Sequence, residues 1–328
     1  MSKLVTGHPV GGESAGGDEA AFAELFGAHQ RELHLHCYRM LGSVTDADDL
    51  VQETMIAAWR GWADFAGRSS ARAWLYRIAT NRCLNAIRDG KRRPGPALVP
   101  PFAPPEPSRW GEVTWLQPYP DAWLPGPAEQ YEARESIELA FIAALQRIPA
   151  RQTAAVVLCD VLGFSGAEVA AMLDITATSV KGLLQRGRAA LAAGGAEVAG
   201  EVGGAGGVGL AGERELAERF ARAFSADDVP AVVALLTDDA WLAMPPAPHE
   251  YHGAAAIAAF LQASVDARAA GSGQRFVLRP WRFNGQVGFE CALGRSDAGI
   301  VVLSLRGERI CGVTRFLDPA LPGRFRAD

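Results

Sequence analysis

The sequence predicts a multidomain protein in which two all-α domains precede a carboxy-terminal α+β domain. Two blocks with helical periodicity, residues 18–93 and 129–193, are separated by the Pro-rich stretch 94–128. A Gly-rich stretch, 194–212, follows the second block, and in the last block, 213–322, helical runs give way to strand-like runs. The chain of 328 residues is long enough to build a hydrophobic core in each of these three blocks.

The composition is that of a soluble globular chain without a disulfide framework. Hydrophobic residues make up 49% of the chain, charged residues 21%, and the formal net charge is −5. The five cysteines include no CxxC pair, which favours a reducing compartment. Residues 1–17 are Gly-rich and are expected to form a flexible tail without the apolar core of a signal peptide, and no apolar run of about 18 residues could span a bilayer. We therefore expect a cytoplasmic protein that engages no membrane.

The segment DADDLVQETMIAAW predicts an amphipathic helix with an acidic face. At helical spacing Asp46, Asp49 and Glu53 share this face. The opposite face carries apolar residues that we expect to be buried: Val51, Met55, Ala58 and Trp59. A charge run on its own is most often a solvated surface, so further residues are needed to give it a function.

The next segment is strongly basic although the chain as a whole is acidic. Between Phe65 and Arg93 there are eight Arg and Lys residues and one acid, Asp89. The helix predicted from about Ala71 places aromatic, amide and guanidinium groups on its exposed face: Trp74, Arg77, Asn81, Asn85 and Arg88. Such groups stack on unpaired bases and bind phosphates, so the pattern favours melted DNA as a partner. The alternative for Trp74 is packing on a core.

The second helical block carries a helix-turn-helix pattern. Ser165 and Glu168 form a predicted capping box, and DITAT turns the chain into the helix SVKGLLQRGRAAL. This helix has basic residues and no acid, so it can enter the major groove, although a plain helical hairpin shows similar periodicity. Gly182 and Gly187 are each expected to weaken the helix by up to about 1 kcal/mol relative to Ala.

Two stretches between and after the helical blocks are predicted to lack regular structure. The Pro-rich residues 94–128 are expected to form an extended tether, although their aromatic residues argue against a purely solvated linker: Trp110, Trp115, Tyr119 and Trp123. The Gly-rich residues 194–212 are expected to form a flexible hinge.

DADDLVQETMIAAWRGW followed by GRSSARAWLYRIATNRCLNAIRDGKRR resembles region 2 of sigma-70-family factors of the extracytoplasmic-function type. The resemblance implies a helical bundle whose acidic helix docks on the clamp helices of the largest subunit of core RNA polymerase through Asp46, Asp49, Gln52 and Glu53. It implies that the following segment meets the minus-10 element, with the FAGRSS loop capturing a flipped base. The residues so implicated are Phe65, Arg68, Ser69, Ser70, Arg72, Trp74, Arg77, Asn81 and Arg88.

LQRIPARQTAAVVLCDVLGFSGAEVAAMLDITATSVKGLLQRGRAAL is similar to region 4 of the same family. The resemblance implies contact with the flap of the second-largest polymerase subunit and recognition of the double-stranded minus-35 element. The residues implicated are Thr178, Ser179, Lys181, Gln185, Arg186 and Arg188. This sequence departs from the family at Asp174, where Gly is common, and at Leu183, where a polar or basic residue is common. The linker resembles that of a subgroup with an extra carboxy-terminal domain, and is expected either to run through the polymerase cleft or to pack on the chain's own domains.

The last block is predicted to end in an antiparallel sheet that follows two helices. Asn284-Gly285 and Arg306-Gly307-Glu308 are hairpin turn signals between strand-like runs. ELAERFARAFSADDVPAVVALLTDDAWLAMPPAPHEYHGAAAIAAFL resembles the cone-shaped SnoaL-like, nuclear-transport-factor-2-like fold, whose relatives include polyketide cyclases and ketosteroid isomerases. The candidates for lining a ligand pocket are Trp241, Met244, His249, Tyr251 and Trp281; each is equally compatible with a core. The candidates for an acid or base are Asp238, Asp239, His249 and Glu250.

These features predict a sigma factor that is not an enzyme, in which the carboxy-terminal domain tunes promoter binding. We expect no cofactor, and no metal at the HQRELHLHC segment, whose ligand spacing does not suit one helix face. A small-molecule ligand and an anti-sigma protein are further partners left open. Two alternatives are a free-standing helix-turn-helix regulator with a ligand-sensing cone domain and a SnoaL-like isomerase or cyclase with a DNA-binding appendage.

Overall fold

The computed structural model describes residues 13–65, 70–90, 100–111, 116–124, 136–201 and 210–326. Three helices form the first unit: α1 (Glu13–Leu41), α2 (Val44–Gly61) and α3 (Ala71–Arg88). Four more form the second: α4 (Leu139–Arg147), α5 (Ala150–Val156), α6 (Gly166–Leu173) and α7 (Ala177–Glu201). The third unit contains α8 (Leu210–Ser225), α9 (Val229–Val233), β2 (Leu236–Met244), β3 (Ala247–His252), α10 (Ala254–Ala270), β4 (Phe276–Phe283), β5 (Gln286–Leu293), β6 (Ser296–Arg306), β7 (Arg309–Phe316) and α11 (Ala320–Arg326), and the linker contributes β1 (Arg109–Trp110).

The second helix starts at a side-chain cap and buries a narrow stripe. The Ser43 hydroxyl accepts a hydrogen bond from the Asp46 backbone N–H at 3.1 Å. The buried residues recur at helical spacing: Val44, Ala47, Leu50, Val51, Thr54 and Ala58. The prediction that Met55 and Trp59 are buried is wrong, because this stripe is complete without them and they are 43% and 45% exposed.

The second unit is a helix-turn-helix, as the sequence predicts. The capping box of α6 forms, with Ser165 and Glu168 each bonding the other's backbone N–H. Asp174 ends α6 with φ +52°, the left-handed conformation that favours Gly. Gly187 is buried, and a Cβ there would lie 2.8 Å from Val156 Cγ2. This glycine therefore allows α5 and α7 to approach closely, which offsets its intrinsic cost to the helix.

Two predicted boundaries differ in the structure. Helix α1 starts at Glu13, within the segment expected to be a tail. Helix α7 continues to Glu201, so residues 194–201 are helical where a flexible hinge was expected. This stretch, GGAEVAGE, contains good helix formers in its Ala and Glu residues beside three glycines, each of which costs up to about 1 kcal/mol relative to Ala.

The third unit is built on a seven-stranded sheet in the order β1-β3-β2-β7-β6-β5-β4. The predicted hairpins form: Asn284 and Gly285 have φ +57° and +71° between β4 and β5, and Gly307 has φ +57° between β6 and β7. The expectation of an antiparallel sheet after two helices is only partly right, because β2 and β3 precede α10 and β2 pairs with β7 in parallel.

The register of the strands divides the sheet into two faces. The inner face packs against α8, α9 and α10, with Leu242, Val301 and Phe289 in its core. The outer face carries Phe283, Val302 and Phe316, which join one continuous hydrophobic cluster with the first two units and the linker. The third domain is thus packed on the helical units through one side of its sheet.

Within the part of the chain that the structure describes, none of the helices combines the length and the apolar character needed to span a bilayer.

Candidate functional site

The predicted acidic residues of α2 come together on one surface. Asp46, Asp49, Gln52 and Glu53 line a groove of about 270 Å³. Its apolar lining is Leu41, Leu50, Ile56 and Ala86. Asp49 and Gln52 are exposed, and Glu53 faces Arg82 of α3 at 3.8 Å. We call this surface the acidic groove; its shape suits a partner side chain that is basic at its tip and apolar along its stem.

Exposed apolar side chains of the same helix adjoin the acidic groove. Met55, Ile56 and Trp59 are 43%, 48% and 45% exposed. Trp59 contacts Phe22 edge-on, with 5.2 Å between ring centroids, so part of its ring is held while the rest faces solvent. Helix α2 therefore presents an acidic and an apolar area side by side, as protein-binding surfaces do. The sequence prediction missed the apolar part by treating it as core.

An aromatic cluster stands where α3 begins. The Phe65 ring lies 4.8 Å from the Trp74 ring and 5.8 Å from that of Trp62, between centroids. The Ser70 hydroxyl caps α3 by accepting from the Ala73 N–H at 3.1 Å, which gives this candidate DNA contact a structural role as well. Arg68 and Ser69 lie outside the described residues.

The predicted nucleic-acid face of α3 is partly covered by the second helical unit. Asn81 Nδ2 donates to the Met172 carbonyl at 3.4 Å, and the Arg72 guanidinium lies 4.8 Å from the centre of the Phe164 ring. Arg72 also pairs with Glu32 of α1 at 3.0 Å. Arg77 and Arg88 remain exposed. The two helical units thus lie closed on each other, with two of the candidate minus-10 residues engaged within the chain.

Helix α7 presents the residues predicted to read DNA on its exposed side: Thr178, Ser179, Lys181, Gln185, Arg186 and Arg188. Two of them have partners within the domain. Ser179 joins Thr176 in the cap of α7, with 2.9 Å between the hydroxyl oxygens. Arg188 donates to both carboxylate oxygens of Asp160, at 2.9 and 2.6 Å. Arg188 is therefore held by an acid that a DNA phosphate or base would have to replace.

The first half of the linker packs on the third domain. Arg109 and Trp110 add a short strand to the edge of β3. The Tyr251 hydroxyl donates to the Pro105 carbonyl at 2.8 Å, and the Phe102 ring lies 5.5 Å from that of Phe260. Of the two fates expected for the linker, the structure shows packing on the chain's own domains. Trp115 lies outside the described residues.

The second half of the linker is buried where the three units meet, and Asn284 is at its centre. This residue is fully buried, and its Oδ1 accepts from the Tyr119 N–H at 2.7 Å. Its Nδ2 donates to the Tyr38 hydroxyl at 2.9 Å and to the Ile137 carbonyl at 2.6 Å. One side chain of the third domain thus binds α1, the linker and the segment leading into α4. We call this contact region the three-way junction.

A charged cluster lies at the edge of the three-way junction. Asp48 of α2 accepts from His34 Nε2 at 2.9 Å and is paired with Arg324 of α11. Burial alone would raise the pKa of Asp48, but the hydrogen bonds from His34 and Arg324 outweigh burial and lower it. The third domain therefore binds the same helix that carries the acidic groove, at a residue that lies between Asp46 and Asp49 in the sequence.

The five candidates for a ligand pocket do not share one cavity wall. Met244 and Tyr251 are buried on the inner face of the sheet, and His249 contacts Trp110 of the linker. Trp241 packs over Gly312 on the outer face, and Trp281 lines a groove of about 760 Å³ at the three-way junction. The inclusion of Trp241 and Trp281 was wrong because the register of their strands points them away from the cone interior. Asp238 and Asp239 lie exposed in β2.

Comparison with protein families matches three parts of the chain. Residues 25–93 match Sigma-70 region 2, residues 138–191 match Sigma-70 region 4, and residues 217–313 match the SnoaL-like domain. The three matches fall on the three structural units in order.

Similar proteins extend over most of the chain. The ECF RNA polymerase sigma factor SigG of Mycobacterium tuberculosis is 38% identical over 319 residues, which cover 94% of this chain and 84% of that protein. The ECF RNA polymerase sigma factor SigW of Bacillus subtilis is 32% identical over 177 residues, 53% of this chain and 89% of that protein. The crystal structure of the extracytoplasmic function sigma factor SigJ of Mycobacterium tuberculosis covers 89% of this chain and 95% of its own, with a TM-score of 0.59 and 24% identity.

Proposed function

The chain belongs to the extracytoplasmic-function group of the sigma-70 family of RNA polymerase sigma factors, and we propose from this membership which function each of its units performs. As a sigma factor it binds core RNA polymerase and promoter DNA and directs promoter-specific transcription initiation. We assign polymerase and minus-10 binding to residues 18–93, minus-35 binding to 129–193 and regulation to 213–322. We place this activity in the cytoplasm.

Core polymerase docks on α2 in this proposal. The acidic groove supports it, because Asp46, Asp49, Gln52 and Glu53 converge there and an apolar area adjoins them. Charge pairs at such a surface steer association and select the partner, while the apolar residues supply much of the affinity. We therefore add Met55, Ile56 and Trp59 to the docking surface on the clamp helices.

Promoter DNA meets α3 and α7. The exposed Arg77 and Arg88 of α3, with the aromatic cluster at its start, suit a melted strand that needs phosphate contacts and stacking. Lys181, Gln185 and Arg188 share one exposed face of α7, as the reading residues of a major-groove helix do, and Arg186 is also exposed. Contact of the second helical unit with the polymerase flap completes the assignment.

The third domain restrains the sigma units through contacts, without catalysing a reaction. Two observations support this role: residues of the third domain bind both halves of the linker, and Asn284 is buried between three units. In the same closed arrangement the second helical unit partly covers α3. A linker that enters the polymerase cleft must first leave these contacts. The closed arrangement therefore lowers the affinity for core polymerase by the free energy needed to open it.

Run-off transcription with purified core polymerase tests this function. The full chain is compared with the triple variant Asp46→Ala, Asp49→Ala, Glu53→Ala and with a charge-matched control, Glu24→Ala, Glu215→Ala, Glu218→Ala, at exposed positions. We expect specific transcripts from the full chain and the control and none from the acidic-groove variant. Operator binding without polymerase, or turnover of a small molecule that depends on Asp238 or His249, would instead support the regulator or the enzyme.

A further inference from the structure

A buried arginine of the third domain lacks a counter-charge. Arg315 of β7 is 5% exposed, and its Nε has no hydrogen-bond partner. Among the residues the structure describes, no hydrogen bond or ion pair reaches its guanidinium group. The guanidinium group contacts two aromatic rings: its carbon lies 4.9 Å from the centre of the Phe276 ring and 5.9 Å from that of the Phe224 ring.

These contacts do not compensate a buried charge. Burial lowers the pKa of Arg315, but a guanidinium group stays protonated in proteins at neutral pH. The neighbouring thiol of Cys291 supplies no negative charge, because burial raises its pKa to about 11. Contacts with two phenyl rings are worth less than the ion pair that a desolvated cation requires.

The surroundings of Arg315 carry an excess of positive charge near the surface. Arg268 of α10 lies over the same Phe276 ring, with its guanidinium carbon 4.5 Å from the ring centre. Asp227 is already paired with Arg268 and also faces Arg275 at 3.6 Å. Phe224 and Phe276 are each 7% exposed, so Arg315 lies just beneath the surface and not at the centre of the core.

We propose that Arg315 binds the oxyanion head of a small molecule, a carboxylate or a phosphate, on the inner face of the third domain. The head group supplies the missing counter-charge, and two of its oxygens accept hydrogen bonds from two N–H groups of the guanidinium in a bidentate contact. Val301, opposite Arg315 in the register, and Phe289 beyond it are buried apolar residues, so the head group would lie beside an apolar wall. Arg275, which precedes Phe276 and is 66% exposed, favours the approach of an anion.

Titration calorimetry and thermal unfolding of the full chain test this site with sodium benzoate and sodium phosphate as probes, against sodium chloride at equal ionic strength. We expect saturable binding of at least one probe, with the two arms distinguishing a carboxylate from a phosphate ligand. Arg315→Met should weaken that binding about thirtyfold or more. The same variant should melt at a higher temperature than the wild type in chloride, because it removes an unpaired buried charge.

Two further variants keep the test decisive. Arg309→Met removes an exposed arginine from the other end of the same strand and should bind like the wild type. Arg315→Lys keeps the charge without the fork of donors and should bind more weakly than the wild type but more tightly than Arg315→Met. The proposal is overturned if neither probe binds the wild-type chain more than chloride does, or if Arg315→Met binds as well as Arg309→Met.

Discussion

Replacement of Asn284 is expected to loosen the three-way junction. Asn284→Ala removes three side-chain hydrogen bonds, of 2.6, 2.7 and 2.9 Å, to groups on residues that are at most 1% exposed. The Tyr119 N–H and the Ile137 carbonyl then lose these partners in a buried site, at a cost of about 1 to 3 kcal/mol each. Alanine at φ +57° adds about 1 kcal/mol. The sum is a loss of about 3 to 7 kcal/mol from the closed arrangement.

Urea denaturation of the full chain measures this loss, and a second substitution separates its two causes. Asn284→Gly removes the same hydrogen bonds but adopts the left-handed conformation freely, so it should be about 1 kcal/mol more stable than Asn284→Ala. Asn85→Ala, an exposed asparagine of α3, is the control and should change stability by less than about 0.5 kcal/mol.

The same substitution should raise the affinity for core polymerase. Opening the junction in advance removes part of the conformational cost of binding, so Asn284→Ala should bind core polymerase more tightly than the wild type. A stability within about 0.5 kcal/mol of the wild type would refute the role of Asn284 as a clamp. Weaker binding to core polymerase in a variant that remains folded would refute the idea that the third domain restrains the sigma units.

Two further predictions concern the helical units. Burial, aided by Arg39 and Arg72, lowers the pKa of His36 from 6.5 to about 3. The unfolded chain therefore binds more protons than the folded chain between these values, and stability should fall by about 1.4 kcal/mol per pH unit as the pH drops below 6.5. The midpoints of urea denaturation at pH 7 and pH 5 check this. The variant His36→Gln can keep the 2.9 Å hydrogen bond to Thr80 and should lose that part of the pH dependence. A variant with the same pH dependence as the wild type would contradict the prediction. In region 4, Asp160→Ala releases Arg188 and should strengthen minus-35-dependent transcription. Arg188→Ala should weaken binding to the minus-35 element by about 1 to 3 kcal/mol, and transcription with it. Equal effects of both variants would mean that Arg188 acts only within the domain.

The sequence predicts correctly those features of the structure that depend on residues close together in the chain. The capping box of Ser165 and Glu168 and the Asn284-Gly285 turn each involve residues within a few positions, and both form as predicted. The hydrogen-bond partners of Asn284 could not be predicted from the sequence, because Tyr38 lies 246 positions away and its pairing with Asn284 depends on how the domains pack. A dipeptide predicts a turn but not what that turn will be buried against.

The incorrect predictions have related causes. The sequence pattern predicts Met55 and Trp59 in the core, because an apolar side chain at helical spacing looks the same whether it packs on its own domain or binds a partner. The sequence also predicts Trp281 in the cone, because one position along a strand decides between the two faces and the residue type does not reveal the register. The stronger signal for Trp281 was its position three residues before Asn284, since the turn carries both onto the three-way junction.

Whether the chain opens on binding polymerase is decided by one distance. Spin labels at Glu24→Cys on α1 and Glu308→Cys in the β6–β7 turn, both exposed, report the separation of region 2 from the third domain in a background where the partly buried Cys159 is replaced by Ala. Double electron–electron resonance is recorded for the free chain and for its complex with core RNA polymerase. We expect one short distance in the free chain and a longer, broader distribution in the complex. An unchanged distance in a complex that still initiates transcription would contradict restraint by the third domain.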